Sequence, residues 1–328
     1  MDLLSELNLL GTSPSFLHAV GLINRYAGCD ATVLLQGDTG TGKEVAARAI
    51  HYLGPRRDRP FVPVNCGALP DNLLETELFG YERGAFTDAR ESRPGMVSQA
   101  EGGTLFLDEI EVMTPRAQVV LLRVLQDHSY RPVGGRDTRC RDVRVIASSN
   151  VDLEELVSRN AFRSDLLYRL NILALKMPPL RERAGDVLLL AEIFLRRFAQ
   201  QHGRPEKRLH PATREWLPRH DWPGNVRELE NLMLREFLLC DGSEVFIEAP
   251  PGLRASSADA EPRQAFTNRG FRQAKAQAVA DFERSYLEHL LTRTRGNLSL
   301  AARLSRKDRS TLTRLVKKHG IEISQFRI

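Results

Sequence analysis

Gly37-Asp38-Thr39-Gly40-Thr41-Gly42-Lys43-Glu44 decides the fold of this chain. An apolar run, residues 31–37, leads into it, and a helical pattern, residues 44–52, leaves it. A strand that turns through glycines into a helix is the setting of a phosphate-binding loop. The glycines let backbone N–H groups converge on phosphate oxygens, the helix N-terminus adds positive potential, and Lys43 reaches the β and γ phosphates. Glu44 stands where such loops usually carry a magnesium-binding Ser or Thr. The plainer alternative is an ordinary glycine-rich strand-to-helix turn.

About 65 residues further on, Thr104-Leu105-Phe106-Leu107-Asp108-Glu109 ends an apolar strand in two carboxylates. Asp108 can hold a magnesium shell, and Glu109 can polarise an attacking water. An acidic pair after a strand also caps helices, so the phosphate loop is what gives it chemical meaning.

Outward from these motifs the chain alternates short apolar runs with helical stretches, which predicts an α/β body. Residues 31–37, 61–66, 104–108, 143–148 and 172–177 read as strands, with helices at 44–52 and 115–127 among the connections. Several of the strands are apolar almost throughout, as in a parallel sheet covered on both faces. From 181 to 240 the pattern is helical only, a small lid. Residues 250–270 hold Pro250, Pro251, Gly252, Pro262 and Gly270 and few apolar side chains, which predicts a flexible linker. Helical patterning resumes from Phe271 to His319. The expected organisation is therefore an ATPase subdomain at 1–180, a lid at 181–249, the linker, and a DNA-binding domain at 271–328.

Hydrophobic content of 42% supports a real core and argues against a largely disordered chain. No apolar run is long enough to span a membrane, and no basic-then-apolar leader opens the chain. Cys29, Cys66, Cys140 and Cys240 are too scattered for a paired metal site or a disulfide framework, which points to a reducing cytoplasm. Net charge is +5 but uneven. Residues 249–328 hold 16 basic against 7 acidic side chains, while 1–248 hold 31 against 35. That asymmetry predicts a nucleic-acid-binding tail on a near-neutral body.

The tail carries the pattern of a helix-turn-helix. Gly296-Asn297 ends one helix, a short one starts at Leu298, and another starts at Asp308. Ala302, Leu304, Leu312, Leu315 and Val316 can form its small core. Residues 297–320 hold seven Lys and Arg against one acid. Arg309, Ser310, Thr311 and Arg314 are candidates to read bases or grip the backbone, and Lys317 and Lys318 to touch phosphate. A basic helix pair used for oligomer contact is the alternative. The preceding stretch has Ala274, Ala278, Phe282, Leu287 and Leu291 on one apolar stripe, which suits dimerisation.

Between the two ATP-site motifs lies Gly80-Tyr81-Glu82-Arg83-Gly84-Ala85-Phe86-Thr87-Asp88-Ala89. Its glycines disfavour a packed helix and suit a loop that presents one aromatic to a partner. The run resembles the Gly-Ala-Phe-Thr-Gly-Ala loop of bacterial enhancer-binding proteins, AAA+ ATPases that remodel RNA polymerase carrying sigma-54. The resemblance covers residues 9–249 and 271–321. It implies an α/β AAA+ core with a helical lid and a Fis-type helix-turn-helix, with ATP and Mg2+ as cofactors. It also implies a homo-oligomeric ring, hexameric in this family, tethered to upstream enhancer DNA. Phe86 and Thr87 match the pair that contacts sigma-54. Asn65 matches the asparagine that couples the catalytic glutamate to the moving loop, and Asn150 the γ-phosphate sensor; either can also cap a strand end. Arg163 and Arg169 match the finger region that acts on a neighbouring subunit's nucleotide, though surface arginines paired with Asp165 fit the same residues. Arg227, in Trp222-Pro223-Gly224-Asn225-Val226-Arg227, matches the second sensor, and Asn225 reads equally as a helix cap.

Asp88 departs from the family pattern, which has glycine there. It leaves open a regulator that binds DNA and uses nucleotide only to control its oligomeric state. Only about eight residues precede the AAA+ body by this reading. Control is then expected from a partner protein acting in trans, from expression level or from promoter context.

Overall fold

The computed structural model describes residues 7–86, 89–250, 283, 287, 290, 291, 294, 297–305 and 308–321. The expected linker beyond Pro250, the stretch 271–282, Thr87 and Asp88 lie outside the described residues. The chain divides into two units, Met1–Ala255 and Ser256–Ile328.

In the first unit, five parallel strands form one sheet: β1 (Val33–Gln36), β2 (Phe61–Asn65), β3 (Thr104–Asp108), β4 (Arg144–Ser149) and β5 (Leu173–Lys176). Their order across the sheet is β2-β3-β4-β1-β5. The five expected strands are present, most with ends shifted by a residue or two. β3 and β4 are buried along nearly their whole length, which explains why they read as continuous apolar runs rather than alternating ones. Helices α1 (Pro14–Ala27) and α2 (Lys43–Tyr52) cover one face, where Ile23, Ala46 and Ile50 pack on Val33, Leu35 and Phe106. Helices α3 (Asp71–Phe79), α4 (Pro115–Asp127) and α5 (Ser164–Leu170) cover the other, where Leu78, Leu121 and Leu166 meet Leu105 and Leu107.

The strand order puts β1 in the interior of the sheet, with β4 and β5 beside it and β3 next to β4. All strands point the same way, so the loops after β1, β3 and β4 leave from one edge. In open α/β sheets that edge is where ligands bind.

After β5 come α6 (Asp186–His202) and α7 (Asn225–Leu239). They pack through Phe194, Phe198, Leu229, Met233 and Phe237, with Trp216 and Trp222 buried beside them. The expectation of a helical-only segment needs one correction. Arg208–Leu209 pairs in parallel with Glu244–Val245. Two-residue strands are too short to leave a periodic signal, and only the return of the chain to Val245 brings them together.

The second unit contains α8 (Leu298–Leu304) and α9 (Arg309–Lys318). Its core joins Leu287, Leu290 and Leu291 to Ala301, Ala302, Leu312 and Val316. Leu315 packs against that core, as expected.

Among the described residues no helix is long and apolar enough to cross a membrane.

Candidate nucleotide site and DNA-binding helix

The loop after β1 is shaped by backbone conformations that only glycine adopts easily. Gly40 has φ 79°, and a Cβ there would fall 2.3 Å from the Gly224 carbonyl oxygen. The phosphate loop and the lid turn touch at that point. Val226 N–H donates to Gly40 O at 3.0 Å, and Asn225 Nδ2 donates to Thr39 O at 2.9 Å. Gly42 caps α2 at φ 97°, so the first N–H groups of the helix open toward the loop. Thr41 is buried and its hydroxyl donates to Asp38 O at 2.8 Å.

Lys43 is buried, and its ammonium donates to Gly37 O at 2.7 Å, Asp38 O at 3.1 Å and Asn150 Oδ1 at 2.6 Å. Burial pushes its pKa down; Asp108, Glu111, Glu109 and Asp38 pull the other way without cancelling the effect. Asp108 ends β3 and accepts from the Ser148 hydroxyl on neighbouring β4. Glu109 has left-handed backbone, φ 57° and ψ 50°, a conformation costly for a non-glycine residue and concentrated at functional sites. Its carboxylate accepts from Asn150 Nδ2 at 3.2 Å and lies so close to Gly67 that a Cβ there would be 2.3 Å from Oε2. Asn150 thus spans Lys43 and Glu109. Its backbone N–H donates to Glu111 at 3.1 Å.

Lys43, Glu44, Asp108, Glu109, Asn150 and Arg227 all line one cavity of about 200 Å³. Glu44 also pairs with Arg48 one turn along α2, at 2.8 Å.

Other expected site residues stand elsewhere. Asn65 lies opposite Asp108 in the sheet register. Its side chain caps the turn Cys66–Ala68, accepting from Ala68 N–H at 3.0 Å, and Asn150 rather than Asn65 holds Glu109. Arg163 is paired with Asp165 at 2.7 Å, and Arg169 donates to Leu125 O at 3.2 Å. Neither lines the phosphate cavity of its own chain. Asn225 does not cap its own helix. It is fully buried, and its amide joins Leu180 N–H (2.8 Å) to Thr39 O, while Glu228 caps α7 by accepting from Gly224 N–H at 2.8 Å. The buried Cys66 thiol, pushed up to about 12 by burial and then by the carboxylates of the site, is chemically inert.

The described residues on either side of Thr87 and Asp88 are bonded to one another. Gly84 N–H donates to Ala89 O at 2.8 Å, and Ala85 N–H to Glu82 O at 3.0 Å. Phe86 rests on Tyr81 with ring centroids 5.0 Å apart and stays 44% exposed.

Sequence reasoning missed a second cavity of about 110 Å³ that shares Gly42, Val45, Val226 and Glu230 with the phosphate site. Leu10 and Phe16 close one side, Val45 the floor, and Leu190, Phe194 and Val226 the lid side. These residues are far apart in sequence and look like ordinary core. The available signal was the break Gly11-Thr12-Ser13-Pro14 ahead of α1, an unusual entry that something must hold.

In the second unit, Ser310, Thr313, Arg314 and Lys317 share one face of α9. Asp308 caps this helix. It accepts from Ser310 Oγ at 2.5 Å, Thr311 N–H at 2.7 Å and Thr311 Oγ1 at 2.7 Å, and these bonds hold its carboxyl well below the usual range. The two hydroxyls expected to read bases or grip the backbone therefore give their hydrogens to the cap and offer only lone pairs. Lys318 is likewise committed: Glu283 accepts from its ammonium at 2.8 Å and faces His319 Nε2 at 2.8 Å. Arg309 opens α9.

Comparison with known proteins agrees with this anatomy. Residues 9–176 match the sigma-54 interaction domain, 181–265 the AAA+ ATPase lid domain, and 278–319 the bacterial regulatory protein Fis family. The chain belongs to the sigma-54-dependent transcriptional activators. It is 43% identical over 309 residues to the transcriptional regulatory protein ZraR of Salmonella typhimurium, covering 94% of this chain and 68% of that one. The DNA-binding transcriptional regulator NtrC of Escherichia coli is 40% identical over 331 residues, covering 96% and 71%. Crystal structures of NtrX from Brucella abortus superpose with a TM-score of 0.70 in complex with ATP and 0.71 in complex with ADP, at 33% identity in both. The ADP complex covers 97% of this chain and 71% of that one. The activator described here therefore combines a sigma-54 interaction domain of AAA+ type, its lid and a Fis-type DNA-binding domain.

Proposed function

We propose that this activator hydrolyses ATP with Mg2+ between the subunits of a homo-oligomeric ring, a hexamer, and spends the cycle on driving the Phe86-Thr87 loop against sigma-54 RNA polymerase. The observation that carries this is the single cavity in which Lys43, Asp108, Glu109, Asn150 and Arg227 meet. Residues 1–180 are the ATPase subdomain and 181–249 the lid. Residues 271–328, joined through 250–270, hold upstream enhancer DNA. The setting is the cytoplasm, with a regulatory protein in trans as the source of control.

The backbone N–H groups of residues 37–44 cradle the phosphates, and Lys43 exchanges carbonyl partners for phosphate oxygen. The site fits magnesium, which commonly takes one or two carboxylates and completes its shell with phosphates and water. Asp108 supplies the carboxylate, with Ser148 orienting it. When bound, the ion neutralises phosphate charge. Glu109 takes the proton of the attacking water, and Asn150, bonded to both Lys43 and Glu109, registers the γ-phosphate. Arg227 touches the nucleotide in cis, from a lid turn already bonded to the phosphate loop. The second cavity takes the base. Arg163 and Arg169 serve the neighbouring subunit's nucleotide, Arg163 by leaving Asp165. Asn65 couples hydrolysis to the loop, because the turn it caps carries Gly67, which touches the Glu109 carboxylate.

The test is open-complex formation by purified sigma-54 polymerase on a promoter carrying this activator's operator. Phe86→Ala is expected to abolish activation while ATP turnover persists. Activation that survives in Phe86→Ala, or none with the unaltered protein, overturns the reading.

A further inference from the structure

A densely bonded buried carboxylate of the body lies outside the phosphate site. Asp186, the first residue of α6, is fully buried. Its carboxylate accepts five hydrogen bonds. Thr12 gives its N–H at 2.7 Å and its hydroxyl at 3.2 Å, Ser13 its N–H at 3.0 Å and its hydroxyl at 2.9 Å, and Arg183 its Nε–H at 2.9 Å. The buried Arg183 then donates Nη2 to Leu10 O at 2.6 Å and lays its guanidinium over the Phe16 ring, 3.9 Å from the centroid. Gly11 lets the chain run directly across the pair: a Cβ there would sit 2.5 Å from Arg183 Nη2 and 2.6 Å from Asp186 Oδ2. Burial raises the Asp186 pKa, but the Thr12, Arg183 and Ser13 bonds outweigh it and hold the carboxyl below its ordinary range.

A buried ion pair is weak evidence for stability, since desolvation offsets most of its attraction. Positioning is the better account, because of what the pair connects. One end is the first turn of α6, which also supplies Leu190 and Phe194 to the second cavity. The other is residues 9–13, which supply Leu9 and Leu10 to that cavity. Arg183 itself lines it, and Asp186 lines neither that cavity nor the phosphate cavity.

We propose that Arg183 and Asp186 are positioning residues for nucleotide binding. Their pair fastens residues 9–13 to the base of the lid and so builds the wall against which the nucleotide base packs. The wall then travels with α6 whenever the lid moves. This rests on the second cavity being the base site.

The test compares two probes on the full-length protein, ATP and inorganic tripolyphosphate, which has no base. Asp186→Asn is expected to weaken ATP about ten-fold and to leave tripolyphosphate within about two-fold. Arg183→Lys keeps the charge but replaces the planar fork that serves Asp186 and Leu10 O, and stacks on Phe16, with a single nitrogen, so it should show the same selective loss; it decides the matter if Asp186→Asn fails to fold. Equal losses for both probes, or no loss for either, overturn the proposal by reducing the pair to scaffold. Val45→Phe, which fills the cavity floor, separates the two readings. If it leaves ATP affinity unchanged, the base site itself is wrong. If it weakens ATP alone while Arg183→Lys and Asp186→Asn do not, the cavity is right and the clasp is wrong.

Discussion

The candidate phosphate cavity and the basic face of α9 hold their cations in opposite ways. Lys43 is buried, fixed by two carbonyls of its own loop and by the Asn150 amide. Arg314 and Lys317 stand exposed on α9, and the exposed Lys318 is held by the side chain of Glu283. Buried partners in a low-dielectric site fix geometry to fractions of an ångström, as bond-making chemistry requires. Exposed ion pairs contribute little and exchange readily with water and salt. That suits the salt-dependent phosphate contacts of a DNA-binding surface.

The strongest break in this comparison is expected at Glu109. Glu109→Gln keeps the amide-compatible shape beside Asn150 and removes the base. ATP turnover should fall about 10²–10⁴-fold while equilibrium ATP binding holds. A parallel collapse of binding would make Glu109 a structural member of the site.

The tail should respond in graded fashion. Lys317→Ala is expected to lower the slope of log affinity against log salt by about one unit. Lys318→Ala should change it less, because Glu283 already occupies that ammonium. Glu283→Gln should release Lys318 and steepen the slope. Equal slopes for Lys317→Ala and Lys318→Ala in DNA-binding titrations would show that the Glu283 pair dissolves on DNA.

The mildest effect is expected from a buried histidine of the body. His51 is enclosed beside Thr104, with Nδ1 2.9 Å from its hydroxyl. Burial, helped by Arg144 and partly opposed by a backbone bond at Arg59, pushes its pKa down. The folded chain therefore favours neutral His51. That contribution is complete above the ordinary imidazole value near 6.5. It is lost as pH falls from there through the lower folded value. Melting curves between pH 8 and 5 should show a decline that His51→Gln flattens. An unchanged decline would assign it to other groups.

The motifs that bind phosphate were legible because each is local. A glycine turn between strand and helix, or two acids at a strand end, is written within eight consecutive residues, and the parallel strands announced themselves as apolar runs. The tail was legible as a charge imbalance and as helices of the right length. Hydrogen-bond partners were not legible where a polar side chain had several candidates. Asn225 read as a cap and instead joins Leu180 to Thr39 across the lid turn. Ser310 and Thr311, candidates to read bases or grip the backbone, bond the Asp308 cap. Asn65, matched to the coupling asparagine, caps the turn Cys66–Ala68, and it is Asn150 that bonds the Glu109 carboxylate.

The sequence by itself determined the family and the order of its domains, and it pointed to several of the side chains that line the candidate phosphate cavity, because these follow from short-range steric and hydrogen-bonding rules. Only the tertiary structure decided which residues share a cavity and which partner each polar group takes. Strand order brings Asp108, Lys43 and Asn150 to one edge, and the return of the lid over the sheet brings Asp186 to Thr12 and Ser13. A hydrogen bond between residues 173 or 174 positions apart leaves no periodic trace in the chain. Its energy is realised only when folding has already set both ends in place.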